Sequence, residues 1–245
     1  MNSKTNNKID MKTLIKRLSV ISCSILLAVF FYSSQNLTDV KIVPVVSVPV
    51  TNKVIVLDAG HGLPDEGAQS SNGTTEASIN LSITLKIQKL LESSGANVIL
   101  TRSDENAIYE IDSKTLSQKK VSDIRNRVKI GNKSSADIFV SIHLNKFPEK
   151  KYYGWQTFYK SGDEGSKILA TKIQENLNSA INKENTRVPH SLNNVYIMKH
   201  VEIPTSIVEC GFLSNPEEEK DLLDNSYQDK LAWGIYNGIM DYFNR

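Results

Sequence analysis

From residue 54 onward, short apolar runs alternate with longer stretches in which apolar residues recur every three or four positions. The runs at 54–57, 97–101, 138–142, 155–159 and 205–208 are only four or five residues long and rich in Val, Ile and Phe, which predicts strands. Between and after them, 79–91, 124–133, 165–181, 217–223 and 229–243 carry the helical period. A strand-then-helix rhythm places successive strands parallel, with helices returning across both faces. Runs such as VIVL at 54–57, without polar alternation, suit strands buried on both sides. The fold class predicted is therefore α/β: a single open, largely parallel sheet with helices on both faces.

Ahead of that domain the pattern changes. Residues 18–32 (LSVISCSILLAVFFY) form an uncharged apolar run behind Lys4, Lys8, Lys12, Lys16 and Arg17. About fifteen residues is the length of a signal-peptide core rather than the roughly 20 of a comfortable span. The basic flank suits export better than a buried core helix, and it puts everything after Tyr32 on the outer side of the membrane. Ser33 and Ser34 are small, but Phe31, Tyr32, Gln35 and Asn36 two positions away are not small cleavage-site partners. A cleaved signal and a retained anchor both stay open. Residues 33–52 turn polar and then Val- and Pro-rich, and Pro44 and Pro49 block helix, which predicts an extended linker. The division is thus 1–32 signal or anchor, 33–52 linker and 53–245 folded domain.

Composition narrows the classes. With 40% hydrophobic and 23% charged residues the chain has the make-up of a globular protein, which excludes disorder throughout. The net charge of +2 is concentrated in the first seventeen residues, leaving the remainder slightly acidic. Without clustered Lys and Arg the domain is a poor nucleic-acid binder, and no nucleic-acid partner is expected. Cys23 lies inside the apolar run and leaves Cys210 alone, so no disulfide framework forms. The segment Val20-Ile21-Ser22-Cys23 has the outline of a lipoprotein box, but the apolar run continues past Cys23, which argues against lipidation.

In an open parallel sheet, ligands gather beyond the carboxyl ends of the strands. Those positions hold Asp58 and His61 after the first strand, His143 and Asn145 after the run at 138–142, and Glu209 after the run at 205–208. A lone histidine at a strand end is more often satisfied by backbone hydrogen bonds than by a metal. Glu76, after Thr74 and Thr75, reads either as a first-turn carboxylate that complements the helix dipole or as a third ligand. In the second case it completes two imidazoles and a carboxylate, the donor set of hydrolytic zinc sites with an open fourth position. There is no HExxH segment, so spacing alone does not identify a site. Glu209 ends an apolar strand, where a carboxylate is costly unless paired or useful. Burial would raise its pKa toward that of a general base, and a salt-bridged structural carboxylate is the alternative.

Four segments in order complete a pattern: Asp58-Ala59-Gly60-His61-Gly62 with Gly67-Ala68, then Glu76, then Ser141-Ile142-His143-Leu144-Asn145, then Glu209-Cys210-Gly211-Phe212-Leu213-Ser214-Asn215. With Thr101-Arg102, Arg127 and Asn132 as further landmarks, the chain from residue 54 to its end resembles the zinc-dependent N-acetylmuramoyl-L-alanine amidases of the type-3 (LytC-like) family. The resemblance implies a mixed six-stranded sheet flanked by helices and one Zn2+ per chain on His61, Glu76 and His143. It implies Glu209 as the catalytic carboxylate, and Asp58 and Asn145 as substrate contacts or as acceptors for a ligating imidazole. The activity implied is hydrolysis of the amide between N-acetylmuramic acid and L-alanine in peptidoglycan.

Ala59 stands where the family has proline, and Leu63-Pro64-Asp65-Glu66 replaces its glycine-rich continuation. That variant resembles the germination-specific, cortex-processing (CwlD-like) amidases of spore formers, which implies stem-peptide removal during muramic-lactam formation and a place in the forespore intermembrane space. Cys210 reads as a small core residue, since metal hydrolysis needs no thiol nucleophile. The stretch 107–120 is too short for the blocking helix of regulated division amidases. No appended wall-binding repeats are visible, so targeting by the membrane segment or by an accessory or activator protein is expected. The competing readings are a non-catalytic peptidoglycan-binding module, a zinc peptidase cutting within the stem peptide, and an exported structural domain without metal.

Overall fold

The computed structural model describes residues 10–35, 48–70 and 72–244, with backbone alone at 33–35. Lys4, Lys8 and the Pro44 portion of the expected linker lie outside the described residues. By its contacts the chain divides into two units, Met1–Val46 and Ser47–Arg245.

The described part of the first unit is one helix, α1 (Met11–Gln35). Its stretch Met11–Tyr32 has 22 residues at a mean hydropathy of 2.0, long and apolar enough to cross a hydrocarbon layer of about 30 Å. The helix reaches further upstream than the fifteen-residue run anticipates. Met11, Leu14 and Ile15 extend its apolar surface between Lys12, Lys16 and Arg17, whose stems can lie along apolar surface.

The second unit runs β1 (Val54–Ala59), α2 (Glu76–Ser93), β2 (Asn97–Leu100), α3 (Leu116–Lys133), β3 (Ile138–Asn145), β4 (Gln156–Lys160), α4 (Glu164–Ile181), β5 (His190–Leu192), α5 (Tyr196–His200), β6 (Thr205–Phe212), α6 (Pro216–Leu223) and α7 (Asn225–Phe243). The six strands form one sheet in the order β2-β1-β3-β6-β4-β5. All neighbours are parallel except β4 and β6, which run antiparallel, so the sheet is mixed and largely parallel as expected. Side-chain alternation splits each central strand between two cores. Ile55, Leu57, Ile138, Val140 and Ile142 pack with Ile83 and Ile87 of α2, Ile173 of α4 and Ile235 of α7. Val56 and Phe139 point the other way, toward Val128 of α3 and Ile197 of α5.

Three local features exceed what periodicity predicts. Strand β5 and helix α5 span only three and five residues, too short to leave a period. Helix α3 starts at Leu116, eight residues before its apolar stripe, because Thr115 and Gln118 form a reciprocal capping box that satisfies its first amides. The folded unit also starts earlier than the linker reading places it. Val50 is fully buried in the main core, and the Asn52 N–H donates to the Gly95 carbonyl at 2.9 Å.

Candidate metal centre and catalytic cleft

β1 and β3 end side by side, and the Gly60 N–H donates to the Ile142 carbonyl at 3.0 Å. The chain then turns at His61, whose φ of 61° is a left-handed conformation uncommon for a residue with a Cβ. Arg127 holds that turn by donating to the His61 carbonyl. The His61 ring meets Asp65 Oδ2 through Nδ1 at 3.1 Å and Glu76 Oε1 through Nε2 at 3.3 Å. His143 Nδ1 lies 3.0 Å from the same Oε1. Ligand atoms of His61, Glu76 and His143 all fall within 4.8 Å of one another.

Glu76 is the first residue of α2, which fits its reading as a first-turn carboxylate, yet its side chain turns into the cluster. The amides of Ala68 and Leu144 donate to its two oxygens at 2.8 and 3.1 Å and fix its orientation. Space is just sufficient. A Cβ on Gly60 would stand 2.3 Å from the His143 ring, and one on Gly67 would stand 2.6 Å from Glu76 Oε2. Gly67 also has φ of 71°, so both glycines are required where the loop crosses the cluster.

Burial would raise the Glu76 carboxyl, but hydrogen bonds from His143 and His61 outweigh it and hold the group well below the usual carboxylate range. Burial would lower His61, and the bonds to Asp65 and Glu76 instead raise it to about 9. Glu209 sits on β6 directly across the β3–β6 ladder from His143. Burial raises its carboxyl to about 7, against the pull of His143 and with the push of Glu76. Its Oε2 is buried without a hydrogen-bond partner among the described residues. A closed-off, partnerless carboxylate oxygen beside two imidazoles and a second carboxylate is an unused acceptor for a proton.

Beneath the cluster lies a buried layer that includes Asp58, one of the two residues expected to contact substrate or accept from a ligating imidazole. Asp58 is fully buried and accepts from Thr101, Arg127 and Ser141 at 2.7, 2.6 and 2.6 Å. Its burial penalty is overcome chiefly by the Arg127 guanidinium, which leaves its pKa below normal. Asp58 therefore accepts from no imidazole; that place beside His61 is taken by Asp65, itself braced by Lys120 at 2.8 Å. Arg102 donates to the carbonyls of Ala59, Gly60 and Ala77, tying the β1 end to the start of α2. Asn145 accepts from the Lys146 amide through Oδ1 and from Leu213 through its carbonyl, with no described bond to the imidazoles. Asp65, Lys120 and Asn80, which donates to the Gly60 carbonyl at 3.2 Å, are the neighbours that sequence reading missed. For Asp65 the signal was its position four residues after His61. The Cys210 thiol is fully buried and pushed up by that burial, consistent with a core residue.

A mixed α/β sheet carrying a His/Glu/His cluster and an unpaired glutamate at its carboxyl edge defines a hydrolase-type metal-site architecture. The chain belongs to the N-acetylmuramoyl-L-alanine amidase family, whose profile matches residues 55–241, and this family is generally zinc-dependent. It is 39% identical over 198 residues to the germination-specific N-acetylmuramoyl-L-alanine amidase of Bacillus subtilis (strain 168), covering 80% of this chain and 82% of that one. The CwlD amidase from Clostridioides difficile, solved in complex with the GerS lipoprotein, is 48% identical, with a TM-score of 0.77 over 79% of this chain and 99% of that one. An N-acetylmuramoyl-L-alanine amidase from Clostridium difficile 630 is 30% identical, with a TM-score of 0.69 over 79% and 98%. The family, its germination-specific branch and the fold are thus those the motifs imply.

Proposed function

We propose that this protein hydrolyses the amide between N-acetylmuramic acid and L-alanine, removing stem peptides from spore-cortex peptidoglycan in preparation for germination. One Zn2+ per chain would be held by His61, Glu76 and His143. The donor set fits: three hydrolytic-zinc ligand types converge within 4.8 Å, and Glu76 and His61 are oriented by further bonds. When bound, zinc supplies a Lewis acid and brings the pKa of water to roughly 7.

The observation that carries the reading is the partnerless Oε2 of Glu209 across the ladder from His143. Glu209 takes the proton of the attacking water as it adds to the lactyl carbonyl, then returns a proton to the departing amino group of L-alanine. Asp65 keeps the His61 ring oriented, and Arg102 and Arg127 keep the loop beneath it from shifting. Helix α1 tethers the enzyme at the outer face of a membrane, in the forespore intermembrane space. Because a relative has been solved with a lipoprotein, an accessory protein of that kind is proposed here as well.

The test is zinc content together with peptidoglycan digestion, scored by newly exposed L-alanine amino termini. About one zinc per chain is expected, with release abolished by chelation and restored by added zinc. His143→Ala loses both metal and release. Glu209→Gln keeps the metal and slows release by roughly 10²–10⁴-fold. Amino termini other than L-alanine would favour the stem-peptide peptidase, and peptidoglycan binding without zinc or release would favour the binding module.

A further inference from the structure

A groove of about 610 Å³ lies on the outer side of the α2–α7 pair, remote from the metal cluster. Lys86, Lys89 and Leu90 of α2 line it with Asp229, Lys230 and Trp233 of α7. Lys86 is paired with Asp229, whereas neither Lys89 nor Lys230 forms an ion pair with a described carboxylate. The groove is thus basic on a unit whose overall charge is slightly acidic. Trp233 is 50% exposed, while Trp155, the other tryptophan of the chain, is buried. A half-exposed indole flanked by lysines has the amphipathic make-up of a membrane-interface contact.

The position of the groove singles out its occupant. Trp233 packs on Tyr236 with ring centroids 5.3 Å apart, Tyr236 bonds Ser94 at 2.8 Å, and next to Ser94 the Gly95 carbonyl accepts from Asn52. The groove therefore adjoins the point where the chain from α1 enters the folded unit. Between Gln35 and Val48 only residues 36–47 intervene, a reach of at most about 45 Å. Lys86 and Lys89 lie ten and thirteen residues after Glu76 on α2, or about 15–20 Å along its axis. The groove and the metal cluster thus lie at separate points along α2.

We propose that the α2–α7 groove is a membrane-docking face, on which Lys89, Lys230 and Lys86 meet anionic phospholipid headgroups and Trp233 enters the interfacial layer. The proposal rests on α1 being a retained membrane anchor, and docking supplies a second attachment that fixes the orientation of the folded unit at the surface. Anionic lipid draws lysines to the surface, and salt weakens that attraction.

The test uses the full chain reconstituted into vesicles of phosphatidylcholine alone or mixed with phosphatidylglycerol, each doped with brominated lipid. With Trp155 buried, quenched emission reports Trp233. Strong quenching is expected in the anionic vesicles, with loss of quenching at high salt and in the double variant K89E/K230E. That variant keeps parental release of alanine amino termini from soluble peptidoglycan fragments, which shows that it is folded. A chain that fails to float with vesicles overturns the anchor reading and the docking face with it. Flotation with Trp233 unquenched, or quenched equally in neutral vesicles and in the variant, overturns the docking face alone. A Trp233 shielded only when a second protein is added overturns it in favour of a protein partner.

Discussion

At the scale of single residues, the cleft is held by contacts that leave little slack. Gly60→Ala would drive a methyl into the His143 ring, so zinc affinity should fall roughly 10–100-fold while the fold persists. Competition with a chromophoric chelator reads that change directly. Asp58 makes a different kind of contribution, since it neutralises Arg127 in the interior. Asp58→Asn leaves the buried Arg127 guanidinium with Asp123 as its remaining carboxylate partner and should cost about 1–3 kcal/mol in urea unfolding at neutral pH. Because the folded-state pKa of Asp58 is depressed, its contribution is present above the unfolded value near 3.8 and is lost as pH falls through the folded value. The gap between parent and variant should therefore close in strong acid; a gap that widened there would contradict the pairing.

At the scale of elements, α2 joins the site to the core. Its first residue is Glu76, and Ile79, Ile83, Ile87 and Leu91 bury one stripe against the sheet, so a shift of the helix would move a proposed ligand. On the same face, α4 and α7 approach so closely that a Cβ at Gly238 would lie 2.4 Å from the Ile173 Cα. Gly238→Leu should force the pair apart at a cost of at least about 1–3 kcal/mol, seen as a lower urea midpoint with the slope unchanged. The elements legible beforehand were those long enough to show a period. β5 and α5 were not, and the antiparallel direction of β4 leaves no mark in its own residues, because direction is set by the connections and the partner strand.

At the scale of the whole molecule, two units are joined through residues that belong in part to the second. Val50 fills the main core from a segment whose prolines and valines read as tether. A protein begun at 53 should lose the burial of one valine, about 1.5–3 kcal/mol, and melt roughly 3–12 °C below one begun at 47. Differential scanning calorimetry of the two decides it, and equal midpoints would mean that Val50 contributes nothing. The α/β class, the family, an N-terminal segment apolar enough to cross a membrane, and the candidate residues His61, Glu76, His143 and Glu209 were readable from the chain alone, because each rests on local pattern or on motif order. What the tertiary structure alone decided is how residues distant in sequence share space. It put Asp65 and not Asp58 against the His61 imidazole, Arg127 under the His61 turn 66 residues before it, and Glu209 beside His143 with its Oε2 unpartnered among the described residues. Such neighbours are chosen by strand register and helix packing, which are cooperative properties of the whole sheet and leave no periodic trace in any one segment.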